Sequence, residues 1–275
     1  MVVSAVSLFS GTVIWSTQKT VERNIFRLET NDARWVLPGR QTGNSFFYPA
    51  SRELLSVQVN APVTVEVDEG FSGIELLGDT SLFRGLGVSF QYGALHVGQR
   101  PTRKTTRQSD GAERLVYDDS LKQQIKAADL TVRVGIGPGA GTPRRQLDFK
   151  NCKKVTCTTP IRGEVMQINL FRVDSANINL QVNAVELSQS GSGAAVIQLS
   201  GTAAQVFFSA FMGGRVDMKQ LKASEVYVRN GHNAQLDLYA SEIANLQGLD
   251  SCSVRLSGSP RYTKIREVER VAGRR

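Results

Sequence analysis

Residues 178–199, INLQVNAVELSQSGSGAAVIQL, contain the pattern that decides the fold. A triplet of two hydrophobic residues around one residue that is usually polar begins at Ile178 and returns at Ile197. Its five copies begin 19, 19, 20 and 18 residues apart and are Ile178-Asn179-Leu180, Ile197-Gln198-Leu199, Val216-Asp217-Met218, Leu236-Asp237-Leu238 and Val254-Arg255-Leu256. A period near 20 residues with short alternating strands indicates an all-β repeat fold, the β-solenoid.

A second series of triplets alternates with the first. Its members begin 21, 20 and 18 residues apart and are Val185-Glu186-Leu187, Val206-Phe207-Phe208, Val226-Tyr227-Val228 and Ala244-Asn245-Leu246. In a strand, the outer residues of a triplet lie on one face and the middle residue lies on the other. The two series therefore predict coils of about 19–20 residues with two strands each. A β-sandwich, which also has short strands but needs no fixed phase, is the alternative.

The net charge of +8 comes mostly from two segments outside the repeats. Residues 99–126 have seven Lys and Arg against four Asp and Glu, and residues 261–275 have six against two. Aromatic residues do not interleave with these basic residues as they do on a surface that stacks bases, so no nucleic-acid partner is predicted. A solvated insertion and tail are expected, with attraction to acidic lipid or polysaccharide as the alternative.

Composition divides the chain into five segments. They are an N-terminal segment (1–53), opening β-strands that form pairs (54–98), a polar basic insertion (99–127), the β-helix (128–260) and a basic tail or cap (261–275). Residues 1–15 are apolar but shorter than the roughly 20 residues of a membrane span. They also lack the basic start of a secretory signal. We expect an export or anchoring segment here, through which membrane association is possible, with a first β-strand as the alternative.

The cysteines and histidines predict neither a metal site nor a cofactor. Cys152 and Cys157 are five residues apart, and Cys252 stands alone. The two histidines, His96 and His232, do not complete a four-ligand zinc site by any standard spacing. We expect buried or unreactive thiols, and a bridge between Cys152 and Cys157 is the alternative.

Several segments together resemble the head-GIN domain, an auto-transporter adhesin domain of bacterial envelope proteins. They are VQVNAPVTVEVDEG (57–70), GALHV (93–97), DLTVRVGIG (129–137), ELSQSGSGAAVIQLSG (186–201), GRVDMKQLKASEVYVRNGHNAQLDLYAS (214–241) and SVRLSGSPR (253–261). The resemblance covers about residues 54–261 without the insertion. It implies a right-handed, single-stranded β-helix that is exported to the envelope and has an adhesive role. The corners at Asn230-Gly231-His232-Asn233 and Asp250-Ser251-Cys252 depart from the Ser-Gly-Ala corners of the family.

The middle residues of the triplets are the candidate surface contacts. Phe207 and Tyr227 should point outward together from neighbouring coils, where an exposed aromatic pair suits sugar stacking or a protein interface. Asp217, Asp237 and Arg255 occupy one outward position on successive coils, which suggests a charge pair between Asp237 and Arg255. No catalytic residue is predicted.

These observations favour a non-catalytic protein of the cell envelope that presents an extended β-helix surface as an adhesin. Its expected partner is an envelope or surface polysaccharide or protein. One alternative is a self-assembling scaffold that forms homo-oligomers. The other is a carbohydrate-active enzyme, which would need two carboxylates that converge on one groove.

Overall fold

The structure is a computed structural model that describes most of the chain beyond residue 53. The described ranges are 4–6, 14–16, 40–42, 45–49, 54–70, 72–91, 94–99, 103–106, 113–116, 118–137, 143–157, 159–191, 194–211 and 213–266. Most of residues 1–15 lie outside these ranges, so the export or anchoring segment stays a prediction. Ser4–Val6 and Ile14–Ser16 pair as two antiparallel strands.

Strands make up most of the described chain. They are β1 Ser4–Val6, β2 Ile14–Ser16, β3 Arg40–Thr42, β4 Ser45–Pro49, β5 Ser56–Asn60, β6 Thr64–Asp68, β7 Ser72–Leu77, β8 Leu86–Gln91, β9 Ala94–Gln99, β10 Arg103–Thr106, β11 Glu113–Val116, β12 Thr131–Ile136, β13 Arg144–Lys150, β14 Lys154–Cys157, β15 Ile161–Phe171, β16 Ser175–Ser190, β17 Val196–Phe211, β18 Gly214–Gly231, β19 Ala234–Tyr239, β20 Ile243–Gln247, β21 Ser253–Ser257 and β22 Tyr262–Arg266. Helix α1 spans Asp119–Ala127, and a 3-10 turn spans Phe83–Gly85.

The strands form two parallel stacks joined by corners. Stack A contains, in spatial order, residues 94–99, 56–60, 144–150, 165–171, 184–190, 205–211, 225–231, 243–247 and 262–266. Stack B contains 131–136, 64–68, 154–157, 175–177, 196–198, 214–217, 234–239 and 253–257. The long strands β16, β17 and β18 run through both stacks, and between the stacks residues 178–182 pair in parallel with 199–203, and 200–203 with 220–223.

The alignment of the coils confirms the β-solenoid. In stack A the second triplet series is in register, with Val185, Val206, Val226 and Ala244 aligned in turn. In stack B the first series is in register from Ile197 onward. Its first copy was wrong by two residues, because Ile197 pairs with Ala176 while Ile178 pairs with Leu199. A shift of two keeps every side chain on its face, so alternation cannot detect it.

The opening strands differ from the predicted pairs. β5 and β6 do not form a hairpin: β5 pairs in parallel with β9 and β13, and β6 pairs in parallel with β12 and β14. The turn between them, where the N–H of Val63 donates to the carbonyl of Ala61 (2.8 Å), leads the chain from one stack to the other. By contrast, β8 and β9 do pair antiparallel.

Helix α1 lies in the segment (99–127) that was predicted to be a polar basic insertion. The carboxylate of Asp118 caps the helix by accepting from the N–H groups of Ser120 (2.9 Å) and Leu121 (3.2 Å). Only Ile125 of its nine residues is buried. A helix that buries so little gives a weak apolar pattern, which explains why periodicity missed it.

The Leu-Ser-Gly sequence that recurs at 199–201 and 256–258 marks a corner where the coils approach closely. Gly201 has a φ of +102°, and a Cβ built on it would lie 1.9 Å from the carbonyl oxygen of Leu180 on the preceding coil. Gly258 repeats the arrangement with a φ of +90° and a Cβ 2.1 Å from the carbonyl oxygen of Ala240. Only glycine fits these positions.

We expect Gly201→Ala to lower the free energy of unfolding by about 2 kcal/mol or more, because it adds both strain and a clash with backbone. Gly87→Ala is the matched control, since its Cβ would meet its nearest neighbour at 3.8 Å and its effect should stay within about 1 kcal/mol. Denaturant unfolding of both variants measures the difference. Equal losses would contradict this account of the corner.

A cluster of charged side chains joins the opening strands to the first coils. Arg145 occupies an inward position of β13 and is almost fully buried. Its Nη1 lies 3.5 Å from Oε1 of Glu69, and its Nη2 donates to the carbonyl of Gly137 (3.1 Å). Glu69 also pairs with Arg162 of β15 (3.4 Å). Breaking a buried pair of this kind leaves an uncompensated charge, which is strongly destabilising.

Asp68 extends the cluster to β12. Its Oδ2 accepts from Nη2 of Arg133 (2.7 Å), and its Oδ1 accepts from the N–H of Gly70 (2.7 Å). Burial by itself raises the pKa of Asp68, but the hydrogen bonds from Gly70 and Arg133 outweigh it and lower the pKa below the ordinary 3.8. The ionised carboxylate is therefore the form that stabilises the fold.

Because the pKa of Asp68 is lower in the folded chain, its stabilising effect is complete above 3.8 and is lost as the pH falls through the folded value. We expect wild type to exceed Asp68→Asn in free energy of unfolding near neutral pH and the gap to shrink at acid pH. Asp129→Asn, which changes an exposed carboxylate, is the control. A gap between wild type and Asp68→Asn that does not change with pH would contradict the assignment.

Candidate functional site

An aromatic pair, Phe207 and Tyr227, stands on the outward side of stack A. The two residues are aligned on neighbouring coils. Their ring centroids are 5.1 Å apart and the ring planes differ by 12°, so the rings are stacked. Both rings are partly exposed, whereas the adjacent Phe208 is fully buried. The alternation of the strand predicted this division between surface and core.

Polar side chains surround the aromatic pair. Oε2 of Glu225 accepts from the hydroxyl of Tyr227 (2.8 Å) and from Nε2 of Gln205 (2.9 Å). The hydrogen bond to Glu225, together with some burial and the negative charge of that carboxylate, raises the pKa of Tyr227. The phenol is therefore held as a donor, and the rings have a fixed polar border on one side.

Arg229 lies over the ring of Phe207. The register between β17 and β18 shifts after Val228, which leaves Arg229 as an extra residue of a bulge. Bulges re-aim a side chain. The guanidinium carbon of Arg229 lies 5.2 Å from the centroid of the Phe207 ring, which is within the range of a cation–π interaction.

On the next coil toward the C-terminus, the surface beside the aromatic pair is lower because a smaller residue takes the place of the tyrosine. Asn245 is the residue aligned with Tyr227 on the next coil. Its side chain is shorter than the tyrosine ring, and its Oδ1 accepts from Nε2 of Gln247 (3.1 Å). The ring face of Tyr227 that is turned away from Phe207 therefore borders a shelf of amide groups.

None of these five neighbours was among the candidate contacts predicted from sequence. Gln205 and Glu225 lie two residues before Phe207 and Tyr227, so the same alternation places them on the outward face and could have identified them. No local pattern indicates Arg229, because its position depends on the bulge. The triplets therefore specify the two rings but not all of the side chains that surround them.

A charge ladder of Asp217, Asp237 and Arg255 lies on stack B, apart from the aromatic pair. The three residues are aligned on successive coils. Nη1 of Arg255 is 4.0 Å from Asp237, as the predicted charge pair requires. Nη2 of Arg215 lies 3.4 Å from Asp237 and 4.0 Å from Asp217.

The carboxylates of the charge ladder are already paired with cations. Besides its approach to Arg215, Asp217 has Nζ of Lys219 at 3.4 Å. Asp237 is nearly buried between the two arginines. Within the described ranges, no group of three or more His, Cys, Asp and Glu side chains is arranged to hold a metal ion. The ladder is suited to holding neighbouring coils together.

His232 and the three cysteines have local partners. His232, at a corner, lies 3.1 Å from Asp250 of the next coil. Cys152, Cys157 and Cys252 are free thiols. Burial raises the pKa of the Cys152 and Cys157 thiols to about 12, and burial also raises the pKa of Cys252. Thiols with such pKa values are poor nucleophiles near neutral pH.

We expect Cys152 and Cys157 to resist alkylation by iodoacetamide near neutral pH in the folded protein, while Cys252 reacts sooner. All three should react after unfolding in denaturant, because unfolding exposes the thiols. Mass spectrometry of labelled peptides measures each site. Rapid labelling of Cys152 or Cys157, or a mass that reveals a bridge between them, would contradict the prediction.

The fold and surface define a β-solenoid with a polar exterior. Residues 55–260 match the family described as "Putative auto-transporter adhesin, head GIN domain". This match covers most of the chain, and the protein belongs to that family. Within the described residues, no helix has the length and apolar character of a membrane span. A comparison with curated proteins finds no match.

The chain is similar to several solved structures, and the first of them shares its fold. One from Bacteroides fragilis, described as a putative adhesin, has a TM-score of 0.61 at 13% identity over 81% of this chain and 92% of its own. A Parabacteroides distasonis structure described as a putative lipid binding protein has a TM-score of 0.49 at 13% identity, covering 82% and 94%. A structure from Parabacteroides merdae described as a putative adhesin has a TM-score of 0.41 at 12% identity over 82% of this chain and 95% of its own.

Proposed function

We propose that this protein is a non-catalytic binding protein of the bacterial cell envelope that attaches to a surface polysaccharide through stack A. Membership in an adhesin-like family supports a role at the cell surface. The fold supports it as well, because a solenoid presents a long regular surface that suits extended polymers.

The aromatic pair of Phe207 and Tyr227 is the observation that carries the proposal. Aromatic rings that stay partly exposed on a polar face are frequently interaction sites. Here Glu225, Gln205 and Arg229 hold the rings in place, so little conformational entropy is lost when a ligand binds.

The surface formed by the Tyr227 ring and the neighbouring amide side chains suits a carbohydrate ligand. A sugar ring has an apolar C–H face that can pack on an aromatic ring and hydroxyl groups that need hydrogen-bond partners. The Tyr227 ring offers the first surface, and the amides of Asn245 and Gln247 offer both donors and acceptors. Such sites combine an apolar surface with a few fixed polar groups.

The pairing of the carboxylates favours binding over catalysis. A glycoside hydrolase needs two carboxylates free to act on the substrate as an acid and as a base or nucleophile. Asp217 and Asp237 are aligned but neutralised by Arg215, Lys219 and Arg255. On stack A, Glu225 accepts from Tyr227 and Gln205. We therefore propose that the charge ladder is structural.

The test is binding of the full chain to a glycan array and to immobilised surface polysaccharides. We expect Phe207→Ser combined with Tyr227→Ser to weaken binding about thirtyfold, as when an aromatic hot spot is removed. Phe211→Ser is the matched control, since Phe211 is a 48% exposed phenylalanine of the same strand outside the pair.

Melting temperatures of both variants show whether each remains folded. An array on which the wild type binds no glycan, or a double variant that binds as tightly as wild type, would overturn the proposal. Binding to a surface protein that the double variant loses, with no glycan bound, would support the site but reassign its ligand.

A further inference from the structure

The last coil of the solenoid has an unusual charge. Residues 253–266 contain four Lys and Arg and no Asp or Glu. The preceding coil, residues 234–252, contains three Asp and Glu and no Lys or Arg. The change of sign within one coil places a basic surface at the C-terminal end of the described chain. The described basic side chains of this surface are those of Arg255, Arg261 and Lys264.

The same end exposes apolar side chains. Ile265 is aligned with Leu246, which is a buried core residue, yet Ile265 is 59% exposed because it lies on the last described strand of stack A. Tyr262 on the same strand is 53% exposed. Val254 and Leu256, at core positions of β21, are only partly buried. We call this basic and apolar surface of residues 253–266 the C-terminal end.

Charge decides which partner suits this end. A second copy docked with its own C-terminal end against this one would bring Arg255, Arg261 and Lys264 against the same residues of its partner, and charged sheet edges of this kind oppose association. An acidic soluble polymer would satisfy the charges but leave Tyr262 and Ile265 in water. An anionic lipid surface satisfies both, because its headgroups pair with Lys and Arg while the interface takes up Tyr and Ile.

We propose that the C-terminal end of the solenoid is a docking surface for a membrane that contains anionic phospholipid. The aromatic rings lie outside this surface, and Asn245 stands between Tyr227 and Lys264. Tyr227 lies two coils before β22, about 10 Å away at the usual spacing of strands. A protein that docked end-on would therefore keep its aromatic pair on the side of the solenoid, free to bind a second partner.

The test is co-sedimentation of the full chain with vesicles of mixed phosphatidylglycerol and phosphatidylcholine, compared with phosphatidylcholine alone. We expect binding only to the anionic vesicles, and weaker binding as salt rises from about 0.1 M to about 1 M. Each charge removed should weaken binding about fivefold, so Arg261→Gln with Lys264→Gln, at positions outside the charge ladder, should weaken it about 25-fold.

Two further variants separate the contributions. Lys154→Gln with Lys222→Gln removes the same charge from exposed positions elsewhere and should leave binding nearly unchanged. Ile265→Ser should weaken binding about tenfold, since it removes one large apolar group from the interface. Its melting temperature should stay close to that of wild type, because the side chain is already mostly exposed.

Several outcomes would overturn the proposal. Equal binding to neutral vesicles would show that this end is not the site. So would an equal loss of vesicle binding in the double variant of the C-terminal end and in Lys154→Gln with Lys222→Gln. Binding that is the same in all variants would assign it to the apolar residues 1–15. Insensitivity to Ile265→Ser with full competition by dextran sulfate would indicate an acidic polymer. Self-association lost in Ile265→Ser, without vesicle binding, would indicate a second copy.

Discussion

The stacking of coils is the constraint on which the rest of the structure depends. A single coil contributes only a few inward side chains, such as Val206 and Phe208, and cannot bury them without its neighbours. Backbone pairing between coils covers these side chains and satisfies the strand amides at the same time. Because that pairing also sets the register, the position of each outward side chain follows from it. The aromatic pair and the charge ladder are both products of this register.

The N-terminal coils and the last described coil of the solenoid differ in how their core positions are covered. At the N-terminal side, strands β5 and β6 are inserted between coil strands, and the buried pair of Arg145 and Glu69 joins them to the first coils. At the C-terminal end of the described chain, Ile265 stands at a core position and is 59% exposed, with basic residues beside it. The opening strands are thus tied into the stack by backbone pairing and a buried ion pair, whereas the last described coil presents exposed apolar and basic side chains.

Irregularities in the coils matter as much as their regularity. Aligned residues in stack A are 18 to 21 positions apart, from Ala184 to Tyr262, and corners and bulges absorb the difference. One bulge places Arg229 over Phe207, and the tight corner at Gly201 lets two backbones approach where a side chain would clash. Family membership therefore specifies the backbone fold, whereas these local irregularities determine the surface that is particular to this chain.

The sequence by itself determined the coil, its period and the face of each triplet residue, because alternation with a period of two is local. It also identified Phe207 and Tyr227 as an outward pair and Asp237 with Arg255 as a charge pair. Only the tertiary structure decided which strands pair over long separations, such as Ser56 with Gln146. It likewise decided the two-residue register of the first triplet, the inward burial of Arg145 and the position of Arg229. These depend on contacts between distant segments, to which a local pattern is insensitive.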